Sequence, residues 1–313
     1  MQFYLAPMEG LTTYIYRQAY NRHFGGITKY FTPFIASKKM SSKEVKEILP
    51  ENNEGMTLIP QILANRADTF LAIAGKLKEY GYDTVNLNLG CPSGTVTARH
   101  RGAGFLAVPD ELDKFLSEIY EKCPIKISIK TRIGISELYE WEDILKIYEK
   151  YPIDELIIHT RLQKEFYKGI PHKEAFTQAQ KCLNVPLCYN GDIDSTNSYK
   201  ELTDSIDGLS SCMIGRGIIR NPNLINELND NKELIYNKEK LRAFHDDICS
   251  GYTKSMSGDT NTLYKMKELW VHMGQSFTNP EKYLKSIKKA ETLSSYEIAV
   301  NALFREQELI NLR

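Results

Sequence analysis

Thr84-Val-Asn-Leu-Asn-Leu-Gly-Cys-Pro-Ser93 is an apolar strand that ends abruptly. Val85, Leu87 and Leu89 alternate with Asn86 and Asn88, the two-residue period of a strand, and Gly90-Cys91-Pro92 then forces the backbone to turn. Cys91 is thereby placed at a strand's carboxyl edge beside two amides, where a thiol can act as nucleophile, metal ligand or proton donor. Taken alone, the commoner use of such a cysteine is as a small buried hydrophobe. The stretch gains weight because seven other segments read as strands, most of them ending in polar or turn-forming residues.

Working outward, strands are expected at 2–6, 27–31, 56–63, 125–129, 155–159, 186–189 and 208–214. Helical patterns separate them at 14–24, 43–49, 67–80, 110–121, 173–182 and 195–203, with a further helix face marked by Trp141, Ile144, Leu145 and Tyr148. In the third of these, Phe70, Ile73, Ala74 and Leu77 share one face at i, i+3, i+4 and i+7. Eight strands alternating with helices are the pattern of a parallel (β/α)8 TIM barrel over residues 1–235, an α/β fold. An open doubly wound sheet is the alternative. Pro7, Met8, Gln61, Asn88, Cys91, Lys130, His159, Asn190 and Asp192 decide for the barrel, because all fall at or just beyond strand carboxyl ends, the rim where barrels place their active sites. From about residue 236 to 313 the strand signal stops and helical faces replace it, such as Leu263, Met266, Trp270 and Met273, so a small all-helical domain is expected there.

Composition narrows the class. The 313 residues are 42% hydrophobic and 26% charged, ordinary for a globular chain. No stretch approaches the roughly 20 apolar residues that span a bilayer, and Met1-Gln-Phe-Tyr-Leu-Ala runs into a proline with no basic segment ahead of it, so no membrane partner and a cytoplasmic location are expected. The six cysteines contain no C-x-x-C pair, which indicates neither a metal site nor a disulfide framework. Basic and acidic residues balance at 40 each, so any polyanion must be met locally. One local excess lies between Leu263 and Lys289, where Lys265, Lys267, Lys282, Lys285, Lys288 and Lys289 face only Glu268 and Glu281.

The last two strands end in Asn190-Gly191-Asp192 and Gly215-Arg216-Gly217, small residues whose N–H groups can approach a phosphate, and the loops after strands seven and eight are the usual phosphate site of this fold. Lys130 and His159 face the barrel axis, where a cation can neutralise charge on a bound ring. An ion pair or a hydrogen-bonded core position would explain either residue singly; the set is stronger than its members.

Here the residues carry a family resemblance. Ala6-Pro-Met-Glu-Gly10, Gln61, Asn86-Leu-Asn-Leu-Gly-Cys-Pro92, Gly102-Ala-Gly104, Lys130-Thr-Arg132, His159-Thr-Arg161 with Tyr167-Lys-Gly169, Asn190-Gly-Asp192 and Gly215-Arg-Gly217 resemble, in order and spacing, the tRNA-dihydrouridine synthases. The resemblance implies an FMN enzyme that uses NADPH to reduce the C5–C6 bond of a uridine in tRNA. By matched position it implies that Pro7, Met8, Glu9, Gln61, Lys130, His159, Asn190, Gly191, Asp192, Gly215 and Arg216 hold FMN. It further implies that Asn88 orients the uracil and that Cys91 donates the proton. The chemistry agrees, since hydride addition at C6 leaves an enolate-like anion that needs a proton at C5, and a thiol of ordinary pKa, ~8.5, is mostly protonated at neutral pH. Arg99, His100 and Arg101, with the lysines of residues 265–289, are the candidates for contact with the RNA backbone, and a monomer is expected. Two rivals remain open at this point: an FMN barrel acting on a free small molecule, and a catalytically silent RNA-binding protein on the same fold.

Overall fold

The computed structural model describes residues 1–230 and 236–310. Nine parallel strands form a nearly closed barrel surrounded by helices: β1 (Gln2–Leu5), β2 (Lys29–Phe31), β3 (Leu58–Ile59), β4 (Gln61–Ile62), β5 (Thr84–Leu89), β6 (Lys126–Arg132), β7 (Leu156–His159), β8 (Leu187–Asn190) and β9 (Ser211–Ile214). Their order is β3-β2-β1-β9-β8-β7-β6-β5-β4. The eight expected strands become nine because Pro60, which has no N–H to give the ladder, divides the third one. Its first half pairs with β2 and its second with β5, so the divided strand holds both edges of the sheet.

Side-chain alternation then sorts the residues. Along β5, Val85, Leu87 and Leu89 are fully buried and face the helices, while Asn86 and Asn88 point inward. Along β6 the outward set is Ile127, Ile129 and Thr131, whose hydroxyl accepts from Tyr148 Oη at 2.9 Å, and the inward set is Ser128, Lys130 and Arg132. Lys130 and Arg132, expected just beyond this strand, lie within it. Inside the barrel Tyr4, Ala6, Phe31, Ile59, Ile157, Cys188 and Met213 make an apolar cluster. Towards the amino ends of the strands, Tyr4 Oη donates to Glu155 Oε1 at 2.7 Å and Lys29 Nζ to Glu155 Oε2 at 3.0 Å, so the carboxylate buried there has its partners.

The helices are α1 (Tyr14–His23), α2 (Ser42–Ile48), α3 (Ala67–Glu79), α4 (Gly94–Thr97), α5 (Pro109–Lys122), α6 (Glu140–Tyr148), α7 (Lys173–Cys182), α8 (Thr196–Thr203), α9 (Arg216–Arg220), α10 (Leu224–Leu228), α11 (Lys238–Ser255), α12 (Asp259–Met273), α13 (Glu281–Lys289) and α14 (Leu293–Glu306). The chain divides into two compact units. One holds Met1–Pro7, Thr28–Gly191 and Thr203–Met213; the other holds Met8–Ile27, Asp192–Leu202 and the described residues from Ile214 on. The boundary expected after residue 235 touches the segment 231–235, which lies outside the described residues.

In the first unit the apolar stripe of α3 is buried as its periodicity requires, and Phe70 meets Phe115 of α5 edge-on at 6.0 Å. In the second, α1 packs with α11 through Tyr16 and Phe244, ring centroids 5.5 Å apart. Tyr296 Oη lies 2.6 Å from both His245 Nε2 and Trp270 Nε1, which ties α14 to α11 and α12. Burial holds the His245 imidazole below its usual pKa, so this buried ring is a neutral hydrogen-bonding core residue. Among the described residues no helix is long and apolar enough to cross a membrane.

Candidate active site

The turn after β5 is built by one side chain. Asn88 Oδ1 accepts from the N–H groups of Gly90 (3.0 Å) and Cys91 (2.9 Å), so the carboxamide acts as the hinge pin of the turn that presents the thiol. Asn88 Nδ2 donates to Gln61 Oε1 at 2.7 Å, Gln61 Nε2 to Asn86 Oδ1 at 2.8 Å, and Asn86 Nδ2 to Ser128 Oγ at 2.9 Å. Three buried amides in series thus fix one another's orientation, which is the condition for a buried polar network to rigidify a site.

Glycine is required next to the thiol. A Cβ on Gly102 would lie 2.8 Å from the Cys91 carbonyl oxygen and 3.0 Å from Cys91 Cβ, and one on Gly104 would lie 2.6 Å from the Thr97 carbonyl oxygen. Ala103 N donates to Cys91 O at 3.0 Å, so the 93–107 insertion folds back onto the turn. Cys91 itself is half-buried.

Lys130 stands beside Asn88 in register and donates from Nζ to Asn190 Oδ1 at 2.8 Å; Asn190 Nδ2 in turn donates to the Met213 carbonyl at 2.8 Å. No carboxylate among the described residues pairs with this ammonium. Burial, with the Arg132 guanidinium second, pulls its pKa down to about 7. A desolvated cation whose protein partner is a neutral amide is a site for an anion or an electron-rich ring edge. His159, buried at the end of β7, stacks on Tyr167 with centroids 6.1 Å apart.

Two further arginines play parts that sequence reasoning did not assign. Arg132 is fully buried and donates to the carbonyls of Gly90 (3.0 Å), Leu162 (2.9 Å) and Phe166 (2.6 Å). Burial lowers its pKa to about 10, which leaves it charged. Arg161 donates to the carbonyls of Lys168 (3.1 Å) and Gly169 (2.5 Å). Two-residue periodicity after Lys130 was the available signal for Arg132. For Asn65 there was none: its Nδ2 donates to Arg99 O at 3.0 Å and its Oδ1 accepts from Arg101 Nε at 3.3 Å, clamping the loop that carries both arginines. Arg99 is exposed and Arg101 half-buried.

The remaining predicted residues belong to the second compact unit, apart from Pro7 and Gly191 at its chain boundaries. Met8 N–H donates to Thr12 Oγ1 at 2.8 Å, and the Met8 carbonyl accepts from Leu11 N and Thr12 N, so this backbone is spent on starting α1; Glu9 is exposed. Arg216 opens the short helix α9, with Gly215 before it, and pairs with Asp192 at 2.6 Å. His272 faces Arg216, and burial first, then that guanidinium, holds its imidazole below the ordinary value. Of the lysines between 265 and 289, two are not free for RNA: Lys265 Nζ is turned in on the Gly10 carbonyl and Glu268, and Lys267 Nζ on the Ala290 carbonyl. Lys282, Lys285, Lys288 and Lys289 are all exposed on α13, whose Tyr283 and Ile287 face inward.

The family model for dihydrouridine synthases matches residues 4–313. The chain belongs to the dihydrouridine synthase family. This family member is similar to a "Probable tRNA-dihydrouridine synthase" of Staphylococcus aureus (strain COL), 30% identical over 230 residues that cover 70% of this chain and 69% of that one. It is also similar to a "tRNA-dihydrouridine(16) synthase" of Aquipseudomonas alcaligenes, 27% identical over 238 residues, 73% of this chain and 75% of that one. Among solved structures it shares its fold with morphinone reductase (TM-score 0.51, 11% identity, covering 74% and 86% of the two chains) and with the old yellow enzyme homologue from Zymomonas mobilis (TM-score 0.52, 11% identity, 75% and 90%). At such identity those two structures speak to the barrel fold of this dihydrouridine synthase family member and to nothing finer.

Proposed function

We propose that the protein reduces the C5–C6 double bond of a uridine in tRNA to 5,6-dihydrouridine, with FMN as its flavin, NADPH as reductant and Cys91 as the acid. The observation that carries this reading is the turn at Cys91: a thiol held on the carboxyl rim by Asn88, whose register partner Lys130 is a half-buried cation with no acidic partner among the described residues. Family membership and the names of the relatives support it.

The donor set suits FMN. Lys130, Asn190, Gln61 and His159, with Pro7, Glu9 and the side chain of Met8, would hold the ring, and Gly191, Asp192, Gly215 and Arg216 would hold the phosphate. A flavin held by these residues would supply hydride chemistry toward C6 of the uracil. Cys91 Sγ then gives its proton to C5, and as a thiol it needs no adjacent base to be charged for this task. Asn88 has its Oδ1 and one Nδ2 hydrogen committed, so the second Nδ2 hydrogen is what it offers the uracil while its carbonyl holds the thiol in place. Arg132 stabilises the same turn through Gly90.

A uridine in folded tRNA must be turned out of its stack to reach such a rim, which calls for backbone contacts nearby. Arg99 and Arg101 are the groups beside the reacting base, and the four exposed lysines of α13 are those for the phosphate backbone, with residues 236–313 serving as the tRNA-binding domain. In this reading the enzyme works as a cytoplasmic monomer. The test is direct: the purified protein is yellow, releases FMN on denaturation, and oxidises NADPH in a tRNA-dependent manner while dihydrouridine appears. A flavin-loaded protein whose NADPH oxidation ignores tRNA, with no dihydrouridine formed, refutes it.

A further inference from the structure

The loops after β6 and β7 expose five large apolar side chains where loops ordinarily carry polar ones. Leu138 is 45% exposed, Tyr139 71%, Phe166 47%, Tyr167 52% and Ile170 82%. Tyr167, between them, is engaged with His159 and Arg132 and belongs to the site above.

The two loops are bound into one platform. Gln163 N donates to Gly134 O at 2.9 Å and Lys164 N to Ile135 O at 3.0 Å. Glu140 accepts from the N–H groups of Ile135, Ser136 and Glu137, and Arg132 and Arg161 hold four carbonyls of the second loop from beneath. Phe166 adopts φ +52°, the left-handed region that is strained for a bulky side chain. The loop therefore carries both strain and an exposed ring at one residue, a combination that folding alone does not select. Glu165, the one acid of the loop after β7, is turned inward to His172 and the Leu162 N–H, while Lys164 Nζ pairs with the exposed Glu137 of the other loop at 3.3 Å, so Lys168 is the cation this loop presents outward.

We propose that this platform stacks unpaired bases of the RNA adjoining the reacting uridine. The inference rests on the function proposed above and adds to it a surface and an occupant. Turning one base out leaves its neighbours unstacked, and exposed rings with a cation, Lys168, on the same loop, on the same rim as Cys91, are an arrangement that takes up single-stranded bases irrespective of their identity. A pre-ordered platform adds no ordering cost at binding.

The experiment uses the flavin-loaded full chain and an unmodified tRNA transcript, with affinity measured at several salt concentrations. Tyr139→Ser combined with Ile170→Ser, both at exposed positions, is expected to weaken binding by about tenfold or more while the slope of log K against log salt stays that of the parent, because every phosphate stays neutralised as before. Tyr139→Trp is expected to bind at least as well as the parent. Flavin content and NADPH-driven flavin reduction are the folding controls and stay unchanged. Parent-like affinity of the double variant overturns the platform, as does a loss accompanied by a flatter salt slope. A change confined to sedimentation, with tRNA binding intact, assigns the patch to a second copy of the chain and overturns it as well. A parent that binds no tRNA overturns the proposed function itself, so the two failures are separate.

Discussion

Replacing Lys130 with methionine tests whether this rim stores an unsatisfied charge. The ammonium is pulled from 10.5 to about 7 by burial, with Arg132 second. An unfolded lysine titrates near ~10.4, and each unit is worth about 1.4 kcal/mol, so at pH 7 the folded protein bears a cost of about 4 kcal/mol for this one side chain; because Lys130 is only half-buried by surface, that figure is an upper one. Losing the bond to Asn190 returns about 1 kcal/mol. The flavin-free Lys130→Met protein should therefore be more stable than the parent by roughly 2–3 kcal/mol at pH 7. The sign follows from proton counting. Between pH 7 and about 10 the unfolded chain binds the extra proton, so the parent gains stability as pH rises through that window and the advantage of methionine shrinks to nothing at its top. Urea denaturation of both flavin-free proteins at pH 6, 7, 8 and 9 measures this. The same substitution should weaken FMN binding, a trade of function for stability. Parallel stability profiles for the two proteins, or a less stable methionine variant at pH 7, would show that the ammonium is not desolvated and would remove the argument for an anionic ring edge beside it.

Cys91→Ala should retain FMN and its reduction by NADPH yet form dihydrouridine about 10²–10⁴-fold more slowly in single-turnover assays; a loss well below ~10-fold would reject the proton-donor role, and loss of FMN would mean a structural one. Asn88→Ala leaves the Gly90 and Cys91 N–H groups and Gln61 Oε1 without partners, at a cost of about 1–3 kcal/mol for each group left buried, whereas Asn88→Asp keeps the acceptor at the turn. Denaturation midpoints should then fall in the order parent, Asp, Ala, and equal midpoints for Asp and Ala would contradict the hinge-pin role. Changing Lys282, Lys285, Lys288 and Lys289 together to glutamine should lower tRNA affinity and flatten its salt slope by up to ~0.9 for each phosphate no longer neutralised, with flavin reduction intact; parent-like binding at every salt concentration would make α13 a solvated face and nothing more.

The barrel was legible in the sequence because its strands alternate and its polar residues gather at strand ends. Val85, Leu87 and Leu89 needed burial on one face whatever their neighbours were. The split of the third strand was signalled by Pro60 in the middle of an apolar run, but which half pairs with which neighbour is a tertiary matter. Strand ends were read one to three residues off, most consequentially at β6, where Lys130 and Arg132 continue the ladder because partners at Asn88 and His159 are available to them. Individual site residues were legible as types and not as tasks. Asn88 could be read as a polar group at the rim, but its commitment to Gly90 and Cys91 depends on the turn's dihedral angles. Lys265 and Lys267 looked like surface charge by spacing, and only the fold brings the carbonyls of Gly10 and Ala290 to their ammonium groups. Likewise α1 reads as an ordinary barrel helix, and its packing on Phe244 of α11 joins residues too distant in sequence for any local pattern to link.

Arg132 carries a consequence for communication across the rim. One guanidinium, locked in a plane, holds carbonyls on both sides of a seam: Gly90, next to Cys91, and Phe166, on the exposed platform. A displacement of Phe166 must either break a charge-assisted bond in a dry setting or drag the guanidinium, and with it Gly90. Any ligand that shifts the outer loop therefore carries a coupling free energy to the thiol, and by linkage whatever settles beside the thiol alters the loop's readiness to engage by the same amount. A lysine at this position keeps the charge but, lacking the fork, cannot span the gap. The arginine makes two neighbouring loops one mechanical part, so occupancy at the mouth can be felt at the sulfur before any base arrives there.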